Sequence, residues 1–129
     1  MGAEALSRGA IAVVGIEQSG AACAVIQQNW RRVAHSNQTF QVIRADVVKR
    51  LPSLTGQQFD RIYFDPPYAS QLYQPVLEAI AHHHLLGANS ELAAEHSPDY
   101  ALPEAIASLQ ICRQKTYGNT ALTFYRNEE

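Results

Sequence analysis

Asp60-Arg61-Ile62-Tyr63-Phe64-Asp65-Pro66-Pro67-Tyr68 most narrows the folds open to this 129-residue chain. Ile62, Tyr63 and Phe64 form a short apolar run of β-formers, as a buried strand of a parallel sheet requires. Two prolines then end the run, because proline cannot donate to a ladder and turns the chain out of the sheet. Just past the strand stand a carboxylate, two stiff carbonyl-bearing residues and an aromatic ring. Ligands of open α/β sheets bind at that carboxyl end. A strand with a proline turn and a structural Asp is the plainer reading. A site for a planar, amine-bearing substrate accounts for more of these residues at once.

Around this stretch, strand and helix alternate without linkers or repeats. Ala3 to Ser7 has the composition of a helix end, with Gly9 as its stop. Ile11 to Ile16 is a β-branched run closing on Glu17. Ser19 or Gly20 can cap a helix through Ala24, Val25, Ile26 and Trp30 to about Val33. Phe40 to Arg44 is the next strand, followed by Asp46 and a short helix containing Val47, Val48 and Leu51. A helix from about Gln71 to His83 carries Pro75 near its first turn, where a missing N–H does little harm. Glu91 to His96 is expected as a strand from the alternation, although Ala, Leu and Glu prefer helix. Leu109 to Thr116 and Thr120 to Arg126 read as a hairpin about Gly118 and Asn119, both able to take positive φ. Such an order implies one α/β domain with a mostly parallel sheet and an antiparallel edge.

Composition excludes more than it selects. An apolar content of 47% and a charged content of 17% describe a folded globular chain. The net charge of −2 provides no basic footprint for nucleic acid. Cys23 and Cys112 lie far apart without a Cys-x-x-Cys pairing, so reduced thiols are expected, with neither a zinc site nor a disulfide framework. No apolar run approaches a membrane span and no signal peptide is evident, so a cytoplasmic location is expected.

Two further carboxylates stand at strand ends. Glu17 occupies the place from which an acidic residue bonds ribose hydroxyls in dinucleotide-type folds, although alone it reads as a solvated helix-entry residue. Asp46 alone is an N-cap. With Asp65, they form a set that a nucleoside-shaped ligand explains better than coincidence does. The tract His82-His83-His84 reads as a helix terminus more readily than as a metal tract. Trp30 reads as a core anchor, Arg31 and Arg32 as a solvated face, and Tyr117 as turn packing.

Asp65-Pro66-Pro67-Tyr68 resembles the fourth motif of S-adenosylmethionine-dependent amino-methyltransferases. Gly2 to Ala10, the Glu95-His96 pair and Tyr117-Gly118-Asn119-Thr120 are similar to the RsmD family over essentially the whole chain. The resemblance implies a Rossmann-like class I methyltransferase that modifies the exocyclic N2 of a guanine in small-subunit (16S) ribosomal RNA. It implies Glu17 at the cofactor ribose, Asp46 at the adenine amino group, and Gly2 as the last glycine of the cofactor loop. Asp65 and the Pro66 carbonyl would accept from the target amine. Tyr68 would stack on the flipped base, and Pro67 and His96 would line the substrate side. Ribosomal RNA, free or in an assembling subunit, is the implied partner.

The resemblance also implies a departure. The family's first central strand and earlier loop glycines precede the residues that open this chain, and so does part of its RNA-contacting region. Loss of that strand is expected to leave two strand edges exposed, a route to oligomers. Met1 stands where the family has an apolar residue, so a truncated product or a misassigned start is expected. The competing readings are another amino-methyltransferase, acting on adenine N6 in DNA or a protein amide, and a non-catalytic remnant. Asp rather than Asn at position 65 weighs against the glutamine-methylating relatives.

Overall fold

Alternating Val14 and Ile16 around a single glycine make β1 (Ala12–Glu17) a strand that a bulky ring can approach from one side. The computed structural model describes residues 12–17, 19–65 and 71–127. These form two compact units, one up to Arg50 and the other from Leu51.

In the first unit, β1 leads through Ser19 into α1 (Gly20–Val33), and the Ser19 hydroxyl accepts from the Ala22 N–H at 3.2 Å. That bond satisfies one of the amides a helix start leaves unpaired. Trp30 is the buried residue of α1, and its ring fills the space above Gly15, where an added Cβ would come within 2.6 Å of the indole. The same ring meets Phe40 edge-on, with centroids 6.0 Å apart. Phe40 belongs to β2 (Thr39–Arg44), which pairs with β1 in parallel from Ala12↔Thr39 to Glu17↔Arg44. The helix therefore crosses back over its own strand as a βαβ unit does. A short α2 (Val47–Arg50) follows.

The second unit begins with a 3₁₀ turn at Leu51–Leu54 and continues into β3 (Phe59–Phe64). The longer helix α3 (Tyr73–His82) comes next, with Pro75 in its first turn as expected. Its buried residues Tyr73, Val76, Leu77, Ile80 and Ala81 fall at the spacing of a single helical stripe. The helix stops in a Schellman arrangement: Leu85 N–H donates to the Ile80 carbonyl, His84 N–H donates to that of Ala81, and His84 has φ 52°. The histidine tract is thus a helix stop in which His84 holds the left-handed position usually given to glycine.

The strands β4 (Leu86–His96), β5 (Ala105–Ile106), β6 (Leu109–Tyr117) and β7 (Thr120–Asn127) complete a sheet in the order β3-β4-β7-β6-β5. The β3–β4 pairing is parallel and the remaining pairings are antiparallel. This is the expected class I arrangement, with parallel strands first and the antiparallel hairpin last. The hairpin turns through Gly118 at φ 54°, while Asn119 is not left-handed, so the turn needs only the glycine to be permissive. Between Phe59↔Leu86 and Arg61↔Glu91 the register slips, and Asn89 takes φ 59° inside that bulge. The expected strand over Glu91 to His96 is therefore the second half of a longer, interrupted one. Among the described residues, β1 pairs only with β2, and β3 only with β4.

From Ser90 onward β4 alternates strictly. Ser90, Leu92, Ala94 and His96 are buried, while Glu91, Ala93 and Glu95 are half-buried. The buried face continues on β7 through Ala121, Thr123 and Tyr125 and meets α3 and the fully buried Leu77, Leu85 and Leu109.

Candidate active site

Asp65 comes directly after Phe64, the last residue of β3, and Phe64 stands opposite Ala94 of β4. One step further along both strands sets Asp65 beside Glu95, on neighbouring strands about 4.8 Å apart. Alternation puts Tyr63 on the same face, and its hydroxyl donates to a Glu95 carboxylate oxygen. From the other side, the Tyr73 hydroxyl of α3 donates to the Glu95 backbone carbonyl at 2.7 Å. Glu95 is thus held at both its side chain and its main chain.

The electrostatics arise from that packing. Burial, and then the negative charge of Glu95, raise the pKa of Asp65 above its ordinary value. Burial, the hydrogen bond to Glu95 and the charges of Glu95 and Asp65 all push the Tyr63 phenol well above its usual range. Tyr63 therefore keeps its proton and remains a donor.

His96 comes after Glu95 and points to the opposite, buried face. Its Nδ1 lies 2.8 Å from the Ser97 carbonyl and its Nε2 2.7 Å from the Thr123 hydroxyl. A carbonyl only accepts, so Nδ1 carries the hydrogen of the first bond. Thr123 also accepts from the Gln114 amide at 3.2 Å. The Tyr73 ring packs on that buried face, meeting Phe64 edge-on at 5.7 Å and His96 edge-on at 6.4 Å. The structure therefore places His96 among core groups, on the face away from Asp65.

In the first unit, the paired ends of β1 and β2 carry Glu17 and Asp46. The Glu17 carbonyl accepts from Ala45 N–H at 3.0 Å and from the Cys23 thiol at 3.3 Å. Asp46 Oδ1 accepts from the N–H groups of Val48 at 3.0 Å and Lys49 at 3.3 Å. Asp46 is therefore an N-cap in fact, and this capping fixes the direction of its carboxylate. Gly2, Pro66, Pro67 and Tyr68 lie outside the described residues.

Sequence reasoning named Asp65 and Glu17 but gave no role to Glu95, Tyr63 or Tyr73. A signal for Glu95 was present: a lone glutamate after Leu92-Ala93-Ala94, in a strand whose alternate residues are buried.

The sequence matches the family described as "Conserved hypothetical protein 95" over residues 1–126. It is 29% identical over 128 residues to the Bacillus subtilis protein named "Putative rRNA methyltransferase YlbH", spanning 98% of this chain and 69% of that protein. A solved structure of a conserved hypothetical protein from Streptococcus pyogenes is 32% identical, with TM-score 0.82, over 96% of this chain and 82% of that one. The structure titled "Putative methyltransferase yhhF from Escherichia coli" has TM-score 0.85 at 24% identity, over 98% of this chain and 69% of that one. The last likeness is one of fold.

Proposed function

The chain belongs to the RsmD family, described as Conserved hypothetical protein 95, and from that premise we propose that it methylates the exocyclic N2 of a guanine in 16S ribosomal RNA. The observation that carries this reading is Asp65, the first residue of Asp65-Pro66-Pro67-Tyr68, at the carboxyl end of a parallel strand in a class I methyltransferase fold. The name of the Bacillus subtilis relative supports ribosomal RNA as the substrate class. Ribosomal RNA or an assembling small subunit in the cytoplasm is the proposed partner. Among the described residues no helix is long and apolar enough to cross a membrane.

The residues present suit S-adenosylmethionine in their chemistry. Carboxylates at adjacent strand ends, Glu17 and Asp46, are acceptors of the kind that ribose hydroxyls and an adenine amino group need. Glu17 would hold the ribose, Asp46 the adenine and Gly2 the loop backbone. When bound, the cofactor supplies a methyl group on a sulfonium leaving group.

The chain's own part is orientation. The N2 lone pair of guanine is delocalised into the base and is a poor nucleophile. Asp65 and the Pro66 carbonyl, each accepting one amine hydrogen, favour a pyramidal nitrogen and aim its lone pair. Pro67 lines the substrate side, and Tyr68 stacks on a base withdrawn from its helix. The amine becomes acidic once the new bond forms, so a weak acceptor suffices for its proton. His96, bound to Ser97 and Thr123, serves by holding β4 in place.

The test is transfer of labelled methyl from S-adenosylmethionine to unmethylated 16S RNA, small-subunit precursor and duplex DNA, with nucleoside analysis of the products. Label in N2-methylguanosine from the RNA substrates is expected. Label in N6-methyladenine from DNA would overturn the substrate assignment. Calorimetric titration with S-adenosylmethionine comes first, and millimolar or absent binding would sink enzymatic function of this chain on its own.

A further inference from the structure

Glu95 has no part in orienting the amine, yet it is held at both its side chain and its main chain beside Asp65. Its carboxylate accepts from the Tyr63 hydroxyl, its carbonyl accepts from Tyr73, and the β3–β4 register sets it alongside Asp65. We propose that Glu95 is a positioning residue: fixed by Tyr63 and Tyr73, its carboxylate stands beside Asp65 and makes Asp65 the acceptor of the proton that the substrate amine releases. This inference rests on the amino-methyltransferase reading of Asp65.

The amine lone pair forms the new N–C bond while the C–S bond of the methylsulfonium donor breaks, its electron pair going to sulfur as a neutral thioether. The nitrogen is then cationic. One N–H bond breaks, its electron pair returns to nitrogen, and the proton passes to a carboxylate oxygen of Asp65 and later to water. A carboxylate suffices for that transfer, and one that holds a proton more readily accepts it faster. A second carboxylate alongside disfavours two adjacent negative charges and so favours protonation of one member. Tyr63 decides which member. Its phenol stays protonated and donates to Glu95, stabilising the charge there, so Asp65 takes the proton. The raised pKa of Asp65 agrees with that division.

The other charged groups on this face are spread along it. Arg61 of β3 lies two residues before Tyr63, and its guanidinium donates to the Asp60 carbonyl at 3.2 Å. Glu91 of β4 is paired with Arg113 of β6 at 3.4 Å, and that guanidinium also lies 4.1 Å from the Phe124 ring centroid. Lys115 of β6 is registered with Leu122 of β7, and Leu122 with Glu95. Glu91 is therefore already balanced by a cation, whereas Glu95 is held by a neutral donor and keeps its effect on Asp65.

The experiment is a carbon-detected NMR titration of the Asp65 carboxyl in the full chain, comparing wild type with Glu95→Gln, Tyr63→Phe and Glu91→Gln. Glutamine keeps an acceptor for Tyr63 and removes only the charge. The Asp65 midpoint is expected to fall in Glu95→Gln and stay in place in Glu91→Gln. Tyr63→Phe, which takes away the donor that fixes Glu95, is expected to move the Asp65 midpoint as well. In the methyl-transfer assay, Glu95→Gln should move the acid limb of kcat to lower pH and lower kcat at neutral pH by about tenfold, with the Kd for S-adenosylmethionine unchanged. An Asp65 midpoint that ignores Glu95→Gln, or that moves equally in Glu91→Gln, would overturn the proposal. A wild-type chain that transfers no methyl group defeats the methyltransferase reading itself and removes the catalytic role of the pair, whatever the midpoints show.

Discussion

The two faces of the second sheet are made by the same strands, yet their polar groups are treated in opposite ways. On the buried face, His96, Thr123 and Tyr125 each find uncharged partners within the protein. On the other face, Asp65 and Glu95 stand side by side, and among the described residues the strong donor, Tyr63, goes to Glu95. The first pattern is what stability asks of buried polar groups. The second leaves a carboxylate under electrostatic pressure, which is what a site that must accept hydrogens or a proton can use. The difference shows that a polar residue in a buried strand indicates function only when its partners are known.

This contrast can be broken by mutation. Asp65→Asn should lower methyl transfer by about 10²- to 10³-fold, since an amide presents one acceptor and adds a donor facing the amine. The same change should slightly raise Tm at neutral pH. A carboxyl whose folded pKa is raised contributes stability that is present at acid pH and lost as pH rises through the folded pKa, and removing the charge removes that loss. Labelled-methyl kinetics alongside thermal unfolding read both outcomes. A large fall in Tm would make Asp65 structural and erase the distinction between the faces.

Leu92→Ala on the buried face should do the reverse. Leu92 is fully buried, and its truncation should cost about 2–5 kcal/mol of unfolding free energy in a denaturant titration. Thr123→Val should cost less, although it removes a partner of both His96 Nε2 and the Gln114 amide. About 1–3 kcal/mol is expected, because the buried His96 ring nitrogen loses its bond without reaching water, whereas the exposed Gln114 amide can turn to solvent. A cost near zero would show that the His96 network is not part of the core.

The smallest expected effect concerns Tyr125, whose hydroxyl donates to the Pro103 carbonyl at 2.7 Å and whose pKa is pushed up to about 12 by burial. The unfolded phenol ionises near its ordinary value of 10.0 while the folded one keeps its proton. Stability from this group is therefore intact below about pH 10 and declines as pH rises toward 12. Tyr125→Phe should cost about 1 kcal/mol at neutral pH and flatten that part of the alkaline limb. Stability curves measured between pH 8 and 12 decide it.

Much of this was legible locally. Ser19 as cap, the helix ending at Val33, the hairpin at Gly118 and the strand stopping at Asp65 all obey short-range steric rules. The length of β4 was not legible, because the bulge containing Asn89 at φ 59° interrupts its alternation and hides the Leu86 half. Nor could residue type assign His96 to a face. Adjacent Glu95 and His96 are equally polar, and alternation says only that they point to opposite sides.

The sequence by itself determined where most of the strands and helices lie, the carboxylate that ends β3 and the chemistry that such a motif resembles. These rest on dihedral preferences, capping and the inability of proline to continue a ladder, all of which act within a few residues. Only the tertiary structure decided that Glu95 stands next to Asp65, that Tyr63 and Tyr73 hold it, and that His96 turns away toward Thr123. Those facts depend on the register of β3 against β4, which the bulge sets. A shift of one residue would have exchanged Glu95 and His96 between the site and the core.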